Sequence, residues 1–156
     1  MLKQEEEQTK IISVDFIAEN EIFDSDSPDY KMSEIKKKIE TDIQPLIEAD
    51  FGADNLVEHE VDLTTVDMQK DFGCRTCKVR PITFDEAREH NDLIVKKDLP
   101  DWWWTCTPWS TKERGWNYAL AVVCPSGGVN SDNCDFNRGV RPVCILKSNI
   151  FVSRGE

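Results

Sequence analysis

Cys74-Arg75-Thr76-Cys77 has the most direct claim to chemistry in this sequence. Two thiols at that spacing hold a metal ion or exchange a disulfide. A structural zinc site needs four ligands, and no second pair of this kind follows. His59 and His90, the two histidines, are not spaced as a zinc-finger pair, so a metal would have to recruit scattered thiols such as Cys106 and Cys134. Redox catalysis requires the pair to open a helix after a strand. Here Lys78-Val79-Arg80-Pro81 comes next instead, which reads as extended chain running into a helix start. With no secretory leader in view, the six cysteines, Cys124 and Cys144 among them, are expected to be mostly reduced and free of metal. No nucleophile, base and orienting acid stand at readable spacing, so the reading is a protein without catalytic residues, metal or cofactor.

Charge narrows the partners. Residues 1–70 carry 19 acidic and 7 basic side chains, whereas residues 71–156 carry 11 and 12. An acidic surface repels a phosphate backbone, which argues against direct nucleic-acid binding and leaves a basic protein surface as a candidate target. With 156 residues, 39% hydrophobic and 31% charged, the chain reads as one domain over residues 1–156, with an acidic half at 1–70 and a Trp-rich half at 71–156. The longest apolar run, 119–124, is far too short to cross a membrane, and the start Met1-Leu2-Lys3-Gln4-Glu5-Glu6-Glu7 is acidic where a leader is basic. A soluble, unexported protein is expected.

The elements that position these groups can be read from periodicity. A strand is expected over 11–16, ended by Glu19-Asn20-Glu21, then a loop over 24–30. From Ser33 a helix should carry Ile35, Ile39, Ile43, Leu46 and Ile47 on one buried stripe, bent at Pro45 and ended by Gly52. Val57, His59, Val61 and Leu63 alternate with acidic residues, as in a half-buried strand, which makes His59 a packed residue rather than a base. Thr83-Phe84-Asp85-Glu86 is a capping box, with Ile82 and Ala87 as its staple, opening a helix over 84–95.

All five tryptophans and Tyr118 then fall between Trp102 and Tyr118. Consecutive Trp102, Trp103 and Trp104 on a strand must alternate faces, and at least one face is core. Residues 118–123, Pro125-Ser126-Gly127-Gly128 and Val129 have hairpin chemistry, and 140–146 reads as a closing strand. The strands around Ala121 and Val143 are expected to pair antiparallel.

Three stretches occur in order: Asp101-Trp102-Trp103-Trp104-Thr105-Cys106-Thr107-Pro108, Ala121-Val122-Val123-Cys124-Pro125-Ser126-Gly127-Gly128-Val129 and Gly139-Val140-Arg141-Pro142-Val143. Together they resemble a bacterial and phage domain family of unknown function with a C-type-lectin-like fold. Its pattern is an aromatic strand, a central strand ending in a Gly-containing turn, and a closing Gly-Val-Arg-Pro strand. Asp15-Phe16, the Ser33 helix, Val61-Asp62-Leu63 and Pro81-Ile82-Thr83 extend the likeness over most of the chain. Cysteines at 106, 124, 134 and 144 and a truncated N-terminal hairpin depart from that pattern.

The resemblance implies an α+β protein of C-type-lectin-like fold, two helices packed on a small antiparallel sheet with long loops. It implies a phage or prophage ligand-binding module, cytoplasmic in the host or virion-associated, that presents changeable loops to a protein or other macromolecule. Some relatives are variable proteins of diversity-generating retroelements, and 130–138 lies where their mutable cassette would fall. Every residue type in that stretch can be encoded by a codon ending in C. The expected binding surface is Trp109, Trp116, Asn117, Tyr118, Asn130, Asn133, Asp135, Phe136 and Asn137, polar or aromatic groups suited to adaptable contact. Arg141 reads as a buried structural arginine. The calcium-lectin triplets are absent, since Trp116-Asn117 is followed by Tyr118. Two further readings are an oxidative enzyme of the formylglycine-generating type and a phage inhibitor that meets a basic host protein through the acidic half.

Overall fold

The computed structural model describes residues 2–5 and 8–147, so Met1, Glu6 and Glu7 of the acidic start and residues 148–156 lie outside the described residues. Along them run β1 (Lys3–Gln4), β2 (Gln8–Ile12), β3 (Ala18–Glu21), α1 (Glu34–Lys38), α2 (Gln44–Phe51), β4 (His59–Asp62), β5 (Cys74–Cys77), β6 (Val79–Arg80), α3 (Phe84–Glu89), α4 (Asn91–Ile94), β7 (Trp103–Pro108), β8 (Ala119–Val123), β9 (Val129–Asn133), β10 (Arg138–Val140) and β11 (Val143–Lys147). The class is α+β. One sheet has the order β1-β2-β11-β6, a second β3-β10-β7-β8-β9, and β4 pairs with β5. Among the described strand pairs only β10 with β7 is parallel. No helix among the described residues is long and apolar enough to cross a membrane.

β7 divides the core. Trp103 and Trp104 are both fully buried, on opposite faces as the pleat requires. Trp104 packs with Phe23, Tyr30, Ile39 and Val122, and Trp102 lies against the same cluster. Trp103 packs with Ile82, Ala87, Ile94 and Val143 in a second cluster. The alternation is therefore as read, and both faces are core. Trp104 Nε1 donates to the Glu21 carbonyl at 2.8 Å, which satisfies its polar atom in the interior.

The Ser33 helix starts as expected, with Ser33 Oγ accepting from the Lys36 amide at 3.1 Å. Ile35, Ile39 and Ile43 are buried, but Leu46 is 60% exposed. The reason is a π-helical segment, Ile39–Ile43, in which the Gln44 amide reaches back to the Ile39 carbonyl. This segment immediately precedes Pro45, which has no amide to donate. The extra residue in that turn rotates the remainder of the helix by roughly 100°, so Ile47 keeps the stripe and Leu46 leaves it. Gly52 ends α2, its amide bonded to the Glu48 carbonyl at 2.7 Å.

Several expected elements shift. The strand expected over 11–16 is β2, Gln8–Ile12, because it must pair with β11 from Gln8–Lys147 to Ile12–Val143. Glu19-Asn20-Glu21 belongs to a strand, β3, paired with β10. The helix expected over 84–95 breaks at His90 (φ −113°, ψ 24°) into α3 and α4. There Asn91 Nδ2 donates to the carbonyls of Ala87 and Gly127, competing with a continuous helix.

The closing strand expected over 140–146 is two strands in different sheets, so β8 and β11 do not pair: β8 lies between β7 and β9, and β11 between β2 and β6. Gly139-Val140-Arg141-Pro142 is the crossover. A Cβ on Gly139 would stand 2.1 Å from the Phe16 ring, so only glycine fits. Arg141 is buried as read, donating to the carbonyls of Ser13 (2.9 Å) and Ile94 (2.7 Å) over the face of Trp103.

Candidate functional site

Two places on the molecule hold groups able to recognise or react with something else. The first lies where β7, β8 and β9 end together. Tyr118 precedes β8 and its carbonyl accepts the Cys134 amide at 2.7 Å, which extends the β8–β9 ladder by one step. Trp116 stands two residues before this junction and Phe136 two residues after it. Trp116, Tyr118 and Phe136 are 47%, 50% and 45% exposed, large aromatic groups that the described chain covers only in part. Trp109 is half-buried beside them, its amide donating to the Ala119 carbonyl at 2.9 Å.

The surrounding framework is hydrogen-bonded. A turn over Lys112–Arg114 ends at Gly115, whose φ of 87° lies in the left-handed region that glycine adopts without strain. From there the Trp116 amide returns to the Thr111 carbonyl at 3.0 Å. Asp67, from a distant loop, accepts from Ser110 Oγ at 2.5 Å and Arg114 Nη1 at 3.0 Å. The Ser110 and Thr65 hydroxyls, with Arg114, hold its carboxyl below the usual range. Behind Phe136, Arg138 Nε donates to Asp132 at 2.5 Å, and its guanidinium lies 5.8 Å from the Phe136 ring centre. Asp67 and Arg138 were not among the expected site residues: Asp67 meets Ser110 and Arg114 only through the fold, and Arg138 meets Asp132 only across the β9–β10 turn.

The stretch 130–138 is not a loop. It is mostly edge strand and tight turn. Trp104, Val122 and Asn130 stand in register across β7, β8 and β9, so Asn130 lies on the Trp104 face. Asn133, three residues on, lies on the opposite face. Asn130 shares a face with Tyr118 but stands four residues along the ladder from the Tyr118–Cys134 junction, where Trp116, Asn117, Tyr118, Asp135, Phe136 and Asn137 gather. The bonds at Cys124–Gly128 and Tyr118–Cys134 fix the ladder's alternation and turn the main-chain groups of Val129, Ser131 and Asn133 to the open edge. Asn130 Oδ1 accepts from the Ser131 amide at 2.8 Å, and the Asn133 carbonyl takes the Phe136 amide at 3.1 Å. Both bonds blunt the edge against pairing with another strand.

The second place is a cleft of about 260 Å³ between the 60–70 segment and the α3 start, with Lys10, Arg80, Glu86 and Thr107 in its lining. Glu86, expected only as a capping residue, does far more. The capping box is complete, with the Thr83 amide donating to Glu86 Oε1 and the Glu86 amide to Thr83 Oγ1. Arg80 grips the same carboxylate through Nη1 at 2.7 Å and Nη2 at 3.0 Å, and Lys10 bonds its other side. Burial alone would raise the Glu86 carboxyl, but these cations and the Thr83 amide outweigh it and hold the acid well below its ordinary value. Arg80 Nε donates to His59 Nε2 at 3.0 Å. Since Arg80 can only donate, the ring proton sits on Nδ1, bonded to the Val57 carbonyl at 3.0 Å. Both Glu86 oxygens are already saturated, so it is no general base.

All six cysteines are unpaired. Burial pushes the thiols of Cys77 and Cys134 up to about 11 and those of Cys106 and Cys144 up to about 12, which leaves them inert packing groups. Among the described residues no three His, Cys, Asp or Glu side chains converge as a metal site would require. No family model, curated protein or solved structure matches the chain, so its function rests on the geometry of these two places alone.

Proposed function

We propose that this protein is a binding module without chemistry, of C-type-lectin-like fold, that holds a protein or other macromolecule against the surface of Trp116, Tyr118 and Phe136. One observation carries the reading: three large aromatics, each about half exposed, flank a single bonded junction on a hydrogen-bonded frame. Side chains of this kind are the anchors of interfaces, because they lose little conformational entropy and bury much apolar area. Asn117, Asp135 and Asn137 supply a polar rim. The fold assignment is supported by the pairing of β2 with β11, which joins the two ends of the described chain, and by a second sheet that carries the connections. A phage or prophage origin, with a cytoplasmic or virion-associated setting, belongs to the same reading.

The test is a pull-down from host lysate comparing wild type, the Tyr118→Ala/Phe136→Ala double variant and a charge reversal at Glu58, Glu60 and Asp62. A partner kept by the charge reversal and lost by the aromatic variant is expected. The opposite map, with binding that weakens steeply as salt rises, would reject the proposal in favour of an acidic inhibitor.

A further inference from the structure

We infer that His59 is an acid-sensitive latch, whose protonation opens the junction between the β4–β5 hairpin and the sheet carrying β6. Both ring nitrogens are occupied in a way only the neutral imidazole allows. Nδ1 donates to the Val57 carbonyl and Nε2 accepts from Arg80 Nε, each at 3.0 Å. A second ring proton would sit on Nε2, facing a donor that cannot become an acceptor. The hydrogen bond would become a contact between two cations.

Of the surroundings only the Val57 carbonyl and Glu86 favour a charged ring, and burial, Arg80 and Lys10 oppose it. Around the ring are Arg80 from β6, Lys10 from β2 and Glu86 from α3, and Cys77 is its register partner on β5. Two of these are cations, and the one carboxylate is already committed to Arg80, Lys10 and Thr83. Burial, opposed by the Val57 carbonyl and reinforced by Arg80, accordingly lowers the affinity of His59 for a proton.

The bond's position makes it a latch. β4 and β6 belong to different sheets, and His59 with Arg80 spans them. Close by, the chain passes from β5 to β6 through Lys78, and the Val57 amide on the Ile145 carbonyl and a single bridge from Leu56 to Leu146 add two further main-chain links. Residues 60–70, which continue from β4, form one wall of the cleft whose floor holds Arg80 and Glu86. Weakening the His59 bond therefore loosens the β4 end of that wall, while its far end stays held by the Val66 amide on the Pro108 carbonyl and by Asp67 on Ser110 and Arg114.

Linkage sets the sign. The opened form has an ordinary histidine near 6.5, and the closed form a lower one, so closure is complete above that pH and lost as pH falls. Between pH 7.5 and 5.5 the opening constant of residues 59–77 should rise by up to about tenfold. Hydrogen–deuterium exchange corrected for intrinsic rates reads this directly on the full chain. His90 is the other histidine and serves as control. Wild type and His90→Gln should show the rise. His59→Gln, whose amide oxygen still accepts from Arg80 but cannot charge, should be flat. A flat wild type, or a rise retained in His59→Gln, overturns the latch. Should His59→Gln not fold, the NMR titration of the wild-type rings decides the matter: His59 titrating at or above the ordinary value overturns it, and His59 titrating below that value sustains it.

Discussion

The Lys10–Glu86–Arg80–His59 chain and the Trp116–Tyr118–Phe136 surface reverse the usual placement of charge and aromatic area. Four titratable side chains sit at the bottom of a cleft or deeper, while three large rings stand half in water. The difference lies in what completes each group. Glu86 has a donor for every bond it can accept, so its burial costs little beyond desolvation, and the network ties β2, β4, β6 and α3 together. The rings have hydrogen-bonded backbone beside them and are covered by their own chain only in part. One region is completed by its own chain, and the other is the surface proposed to meet a partner.

The largest effect should fall on the finished region. Glu86→Ala leaves Arg80 buried without its partner and should cost about 3–5 kcal/mol in denaturant unfolding, the usual penalty for breaking a buried pair. Because the Glu86 carboxyl is lowered from 4.5, its contribution is whole above that pH and drains away as pH falls toward the folded value. The stability gap between wild type and Glu86→Gln should therefore narrow below about pH 4.5. A gap that widened there would show that the network is not what stabilises this end.

An intermediate effect is expected at the crossover. Gly139→Ala drives a methyl into the Phe16 ring and should cost about 1–3 kcal/mol, provided the ring moves. A neutral result would mean that the crossover packs loosely, and would remove the frame assumed beneath Arg138 and Phe136. Smallest of all, Tyr118→Ala and Phe136→Ala should each alter stability by no more than about 0.5 kcal/mol, as exposed substitutions do. A loss comparable to that of Glu86→Ala would break the comparison, because the rings would then be serving the fold rather than a partner.

Local pattern made much of this legible. Thr83-Phe84-Asp85-Glu86 announced a capped helix, the tryptophan run announced a strand, and the Pro-Ser-Gly-Gly turn announced a hairpin, each because its governing contacts lie within a few residues. The aromatics of the candidate surface were legible too. Their mutual placement was not, for Tyr118 meets Cys134 only through the ladder. Asn130 looked like a loop residue, yet its side chain closes an edge strand, a role visible only once β9 has a free side.

What the sequence determined by itself is the set of short-range decisions: where helices are capped, which faces of β7 the tryptophans take, and that charge is concentrated in residues 1–70. Tertiary structure alone decided that Gly139-Val140-Arg141-Pro142 moves the chain from one sheet to another, and that Leu46 leaves its stripe at a π turn. It also decided that Glu86 serves a buried network as well as its own helix. The physical reason is range. Capping and pleating depend on neighbours along the chain, whereas Arg80, Lys10 and His59 reach Glu86 or one another only after three separate strands have been brought to the start of α3.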